Sequence, residues 1–307
     1  MAFRTVGWSV ALLLAVACGG DDDGRPMDMG TDAGAVTPGT DAGSVTPGAD
    51  AGSVTPGTDA GTPPSLDAGA PPEGRTTTAP PEAVEQLVGT FALESRFATI
   101  SMVPFLGDQR SVSTAWGLVT IEQVGETLQM TERGCHVETE GGSTMTTIPD
   151  AVPQSIPPRV ATLEFLSEGG SLRWFRPEVA VAVGWEASSP ADMLPQSADD
   201  PRVVDADGDG NPGVTVSISG LASGDVYVVQ WQRGWYEGTL GGGAGTLTGQ
   251  NHGGGSEQKT IGASNSILEM DVPQRPDPDT SDNTLQLVPV DAGMDCAGLI
   301  AAGDGLF

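Results

Sequence analysis

The sequence predicts an all-β fold: one antiparallel β-barrel or β-sandwich domain, placed after an export signal and a disordered stalk. Three observations carry this. About ten short runs after residue 84 alternate apolar and polar side chains, the period of a half-buried strand. Gly-rich turns separate them, as in hairpins. Helical patterning is confined to Glu82–Val88, opened by Pro80-Pro81 and closed by Gly89.

The chain begins with an export signal at residues 1–18. Arg4 supplies the positive start, Val6 to Val16 the apolar run, and Ala15-Val16-Ala17 the small residues ahead of Cys18. The apolar run is too short to cross a bilayer as a helix. A cysteine in this place resembles the lipobox of bacterial lipoproteins, and the resemblance implies that Cys18 is lipidated and becomes the first residue of the mature chain. Gly19 rather than Asp follows it, which by the same resemblance implies anchoring at the outer membrane, on its periplasmic or outer face.

Residues 19–83 form the stalk. Three nine-residue units stand in tandem, TDAGAVTPG from Thr31, TDAGSVTPG from Thr40 and ADAGSVTPG from Ala49. Each unit holds a lone Val, so stacking them as a solenoid buries too little to offset chain entropy. Eleven acidic residues against Arg25 and Arg75 keep the segment solvated. As a flexible coil it spans on the order of 45 Å, and fully extended about 200 Å, enough to lift a domain off a membrane.

Residues 84–307 are the folded part. Strands are expected at Thr90–Val103, Ala115–Glu122, Thr127–Thr131, Val160–Leu166, Leu172–Arg176, Val214–Ser219, Val226–Gln232, Trp235–Leu240, Gly245–Thr248 and Thr284–Val290. Trp116, Trp174, Trp185, Trp231 and Trp235 are expected mostly in the core, whereas an exposed group of them would mark a sugar-binding face. This region carries 30 acidic and 10 basic residues, within a chain of net charge −28. Such a surface disfavours nucleic acid as a partner.

With Cys18 lipidated, Cys135 and Cys296 remain, an even pair in an oxidising compartment, and a disulfide is the expected state. The alternative is two free thiols, or a metal pair with His136.

The stretch with the sharpest chemistry is Asp205-Ala206-Asp207-Gly208-Asp209-Gly210-Asn211-Pro212-Gly213. Carboxylates at alternate positions repel one another in a tight turn unless a cation sits among them. Calcium takes six to eight hard oxygens, and a loop offering side-chain oxygens at positions 1, 3 and 5, Gly at 6 and a carbonyl at 7 can wrap it. Asp205, Asp207, Asp209 and Asn211 are therefore the candidate Ca2+ ligands, with Asp199 or Asp200 as further donors. Val216 stands where an EF-hand has its bidentate Glu, so the loop is not an EF-hand. It resembles the Asp-rich calcium loops of dockerin-type, thrombospondin type 3 and β-propeller repeat proteins. The competing reading is a solvated Asp/Gly turn with no ion.

Catalytic motifs are thin. His252-Gly253-Gly254-Gly255 reads as a turn, since the G-x-S-x-G elbow that follows such a string in esterases is missing. Gly241-Gly242-Gly243-Ala244-Gly245 has no Lys-Ser/Thr after it, which excludes a phosphate loop. The lipobox, the low-complexity stalk and the Asp loop together resemble the uncharacterised surface lipoproteins of myxobacteria, a group whose resemblance implies a location and no activity. The expected function is a cell-envelope lipoprotein displaying a calcium-stabilised β domain in a structural or binding role. A carbohydrate- or small-ligand-binding surface protein is the alternative, and a secreted hydrolase the second.

Overall fold

The computed structural model describes residues 70–307 apart from 104–106, 143–144, 221–222, 242–244 and 254–255. The expected export signal, Cys18 and most of the expected stalk lie outside the described residues. In chain order the elements are α1 (Pro81–Leu87), β1 (Gly89–Val103), β2 (Gly107–Val124), β3 (Thr127–Gly141), β4 (Met145–Thr147), α2 (Ala151–Ser155), β5 (Arg159–Thr162), β6 (Glu164–Glu168) and β7 (Ser171–Arg176). There follow β8 (Val181–Val183), β9 (Val214–Ser219), β10 (Gly224–Gln232), β11 (Gly234–Leu240), β12 (Leu247–Gly253), β13 (Glu257–Ala263), β14 (Gln274–Pro276), β15 (Thr284–Pro289) and α3 (Cys296–Ala302).

The fold is antiparallel β throughout its sheets. The larger sheet runs β5-β3-β2-β1-β15-β12-β11-β7-β6, with β14 added to β1. Its two end strands are consecutive in the chain: β5 pairs with β3, β6 pairs with β7, and Leu163 alone separates them. A sheet whose opposite edges are joined through one residue must curl until those edges meet. The result is a nearly closed barrel in which β5 and β6 are two halves of one bent stave. Eight staves leave an interior just wide enough for side chains to fill.

Alternation decides what fills it. Phe91 and Leu93 of β1, Ala115, Val119 and Ile121 of β2, Leu128 and Met130 of β3, Trp174 of β7, Tyr236 of β11 and Leu285 and Leu287 of β15 form one buried cluster. Ala83 and Leu87, one turn apart on α1, join it and are fully buried. Gly238 of β11 is required by this packing. A Cβ there would lie 2.5 Å from Nε1 of the Trp174 indole, so only glycine lets the ring lie against the strand.

The second sheet, β13-β10-β9-β4 with β8 on β10, adds Val214, Val216, Ile218, Val226 and Val228 to the same core. Its other face carries Val229 and Trp231, which pack with Trp185 and Leu194. Of the two expected forms the larger sheet takes the barrel, and a smaller sheet shares its core. A third cluster, Ala92, Trp116, Cys135 and Leu299, lies on the opposite face of β1–β3 beneath α3. A bulge opposite Trp116/Gly117 shifts the register of β3, so that Cys135 and His136 both stand on this side and Val137 returns to the main core.

Several boundaries differ from expectation. The helix starts at Pro81 and ends at Leu87, not 82–88, and the strand expected at Gly245–Thr248 is displaced to Leu247–Gly253. Val160–Leu166 is broken at Leu163, where the stave bends. The strands expected at 115–122 and 127–131 extend to Gly107–Val124 and Thr127–Gly141. Their extensions are rich in Ser, Thr, Glu and Arg, so hydrophobic alternation hides them. They are held by the ladder and by hydroxyl pairs such as Thr99–Ser111 at 3.1 Å and Ser113–Thr139 at 3.2 Å. The folded part also begins before residue 84: Thr76 exchanges backbone hydrogen bonds of 2.9 and 2.8 Å with Phe165, and Arg75 pairs with Glu164.

Candidate metal centre

The Asp loop connects a backbone bridge at Val203 to β9, and its shape follows from its glycines. Gly208 and Gly210 adopt φ of 74° and 90°. These left-handed turns fold the chain back over Asp205, whose Oδ1 accepts from the amides of Gly208 at 2.8 Å and Asp209 at 3.1 Å, and whose Oδ2 accepts from Gly210 at 2.9 Å. Gly213 closes the loop with φ 81°, where a Cβ would stand 2.4 Å from the Val228 carbonyl of β10. The Ala206 and Gly213 amides donate to the Gly213 and Val204 carbonyls at 3.0 and 2.9 Å. The loop is thus pressed against the second sheet.

Within this frame the carboxylates converge. One oxygen from each of Asp205, Asp207 and Asp209 lies within 4.8 Å of the others. Asp207 Oδ2 accepts from the Thr215 amide at 2.9 Å, which ties the loop to β9. Its Oδ1 is buried and has no hydrogen-bond partner. Burial pushes the Asp207 carboxyl above its ordinary value, and the charges of Asp209 and Asp205 push the same way. For Asp209, burial also acts upward, but hydrogen bonds from Thr215 and Asn211 outweigh it and hold that carboxyl below its ordinary value. One acid of the cluster therefore resists ionisation beside two others.

Asn211, expected to offer its main-chain carbonyl, also braces the loop through its nitrogens. Its amide N and side-chain Nδ2 donate to Asp209 at 2.8 and 3.0 Å, so the side chain braces a carboxylate. Asp199 and Asp200 do not join the cluster: Asp199 is exposed, and Asp200 holds the Arg202 guanidinium at 2.7 Å. The Thr215 amide is the partner that sequence spacing did not indicate, because a backbone donor leaves no mark in residue type.

The other singled-out residues are placed as follows. Cys135 and Cys296 form a disulfide across 161 residues, with Cα atoms 5.0 Å apart, and it fastens the start of α3 to β3. Cys296 is the first residue of α3. His136 packs against Trp116 and contacts the Asp150 carboxylate. His252 and Gly253 belong to β12, not to a turn, and the imidazole stacks on Trp235 at 3.7 Å with Nε2 3.1 Å from Glu237 Oε1. The five domain tryptophans are all buried, between 0 and 6% exposed.

No protein family, curated protein or solved structure matches this chain.

Proposed function

We propose that the chain is a cell-envelope lipoprotein, anchored through Cys18 and spaced by residues 19–83, whose β domain is held by a Ca2+ ion in the Asp205–Asn211 loop and serves a structural or binding role. The observation that supports the metal is the convergence of three carboxylates within 4.8 Å, with Asp207 Oδ1 buried and unpartnered. Oxygens bound to one calcium at about 2.4 Å can be no more than about 4.8 Å apart, so the spacing suits a single ion. A divalent cation would offset the mutual repulsion and complete the Asp207 coordination.

All five domain tryptophans are buried, as expected of core residues, and they form no exposed aromatic group of the kind that would mark a sugar-binding face. The test is thermal unfolding of the mature chain with calcium and then with chelator. Calcium at a hundredfold excess over its dissociation constant stabilises by about 2.7 kcal/mol, a rise in Tm of roughly 5 to 10 °C. Identical melting in the two conditions would remove the metal from this reading. Lipid anchoring is tested separately, by loss of membrane association in Cys18→Ser.

A further inference from the structure

A second site lies where β12 passes a break in the barrel ladder. β15 pairs with β1 up to Ser95 and β14 takes over from Thr99, so the stretch of β1 between them has no regular strand on that side. Single residues bridge the gap. Asn283 Oδ1 accepts from the Ala98 amide at 2.9 Å, its carbonyl accepts from the Asn251 amide at 3.2 Å, and the Asp277 amide donates to the Ala98 carbonyl at 3.0 Å. A pocket of about 700 Å3 opens here, with Asn283, Asp277 and Gly253 in its lining. A Cβ on Gly253 would stand 2.7 Å from the Phe97 ring, so glycine leaves room for that ring in the pocket wall.

Tyr236 points into the core, so its neighbours Trp235 and Glu237 stand on the outer face of β11, and His252 stands beside Trp235 across the ladder. Leu172 and Trp174 likewise turn Arg173 outward, and all four outward residues line the pocket. His252 lies flat on the Trp235 indole with Nε2 3.1 Å from Glu237 Oε1. A carboxylate only accepts, so Nε2 carries the proton and Nδ1 is left as an acceptor. That Nδ1 has no partner among the described residues, and the side chain is 22% exposed. Burial holds the imidazole below its ordinary value of 6.5, so at about pH 7.5 it is largely neutral. Asn283, 5% exposed and with its Oδ1 spent on Ala98, keeps Nδ2 as an unspent donor. The charges of the lining are already paired: Arg173 with Glu237, Asp277 with Arg110, and Arg275 with Asp108 at 2.7 Å. A charged ligand finds no free counter-ion there, while Pro72, Pro276 and Pro278 supply apolar surface. An open acceptor and donor among apolar groups are the features that orient a small neutral ligand.

We propose that this pocket binds a small neutral ligand carrying a hydroxyl on an apolar body, with the hydroxyl donating to His252 Nδ1 and the body against Pro276 and Pro278. The site shares no residue with the Asp loop and does not depend on calcium, so chelator throughout the test keeps its outcome apart from that of the metal. Phenol and its methyl ether anisole, which keeps the ring and the oxygen but cannot donate, are titrated into the full chain at about pH 7.5, where phenol is neutral. The signals followed are the His252 imidazole resonances, told apart from those of His136 by their nuclear Overhauser contacts with Trp235.

Phenol is expected to shift the His252 resonances and to bind about two- to tenfold more tightly than anisole, the factor that one net hydrogen bond provides. His252→Phe keeps an aromatic ring on Trp235 and removes the acceptor, so this variant should bind phenol and anisole equally, read from the Trp235 indole N–H resonance. Equal affinity of the two ligands for the wild type, no shift up to about 10 mM phenol, or a preference for phenol that survives in His252→Phe would each overturn the proposal. If His252→Phe does not fold, the ligand pair on the wild type decides.

Discussion

Replacing Asp207 by Asn separates the two states of the acidic loop, because its expected effect changes sign with the metal. The amide oxygen can keep the Thr215 hydrogen bond now made by Oδ2 at 2.9 Å, while the NH2 takes the place of the buried, unpartnered Oδ1. In chelator the substitution removes a negative charge from a cluster of three and should stabilise by about 1 kcal/mol, the lower end of the penalty for an unsatisfied buried polar group. For a domain of this size that is a rise of about 2 to 4 °C. In calcium the same change removes an anionic ligand, and most of the roughly 2.7 kcal/mol available at a hundredfold excess should be lost. Differential scanning calorimetry of both proteins in both conditions gives the four melting temperatures. A fall in Tm on Asp207→Asn that is equal in chelator and in calcium would refute the reasoning, since repulsion relieved by an ion requires opposite signs.

The pH dependence in chelator is a second check. Asp207 has a raised folded value, so the folded state binds its proton more tightly, and this group's contribution falls as pH rises from the ordinary value of 3.8 through the folded one. Wild type should therefore lose relative to Asp207→Asn across that window, read by urea titration at stepped pH. Reducing the Cys135–Cys296 bridge reopens a loop spanning 161 residues, for which a loss of about 2 to 4 kcal/mol is expected, monitored by unfolding with and without reductant. Gly238→Ala drives a methyl into the Trp174 indole and should cost about 1 to 3 kcal/mol in chemical denaturation. His252 is held below 6.5 by burial, against the opposing pull of Glu237, so NMR titration should find its imidazole more than half neutral at pH 6.5. Its contribution to stability is intact above 6.5 and declines as pH falls from there toward the folded value.

Residue type and spacing made the fold class legible because most staves alternate apolar and polar side chains. Val214–Ser219 was readable to the residue, having apolar side chains at 214, 216 and 218 and Gly at 213 and 220 as boundaries. The Asp loop was legible for a similar reason: its carboxylates and glycines are close in sequence, so local geometry suffices to gather them. The outer halves of β2 and β3 were not, since residues such as Ser111, Ser113 and Thr114 of β2 and Glu138 and Thr139 of β3 match the polarity of a loop and are held by partners across the sheet. Cys296 was paired correctly by parity, but α3 around it carries only a Leu and an Ile among small residues and shows no helical period.

Residue order alone pointed to an antiparallel β domain, to Cys135 and Cys296 as the expected disulfide pair, and to an acidic loop feeding a strand. Each depends on neighbours along the chain or on a simple count. The closure of the sheet through Leu163, the bulge that puts Cys135 and Val137 on opposite faces, and the common burial of Glu132, Arg159 and Arg176 all depend on contacts between strands far apart in the chain. Glu132 and Arg159 lie just outside the strands expected from alternation, and nothing in residue type sets these charges apart from the many others in the chain. Curling the sheet turns those positions inward, so which face is wet depends on closure, a property of the whole barrel rather than of any strand.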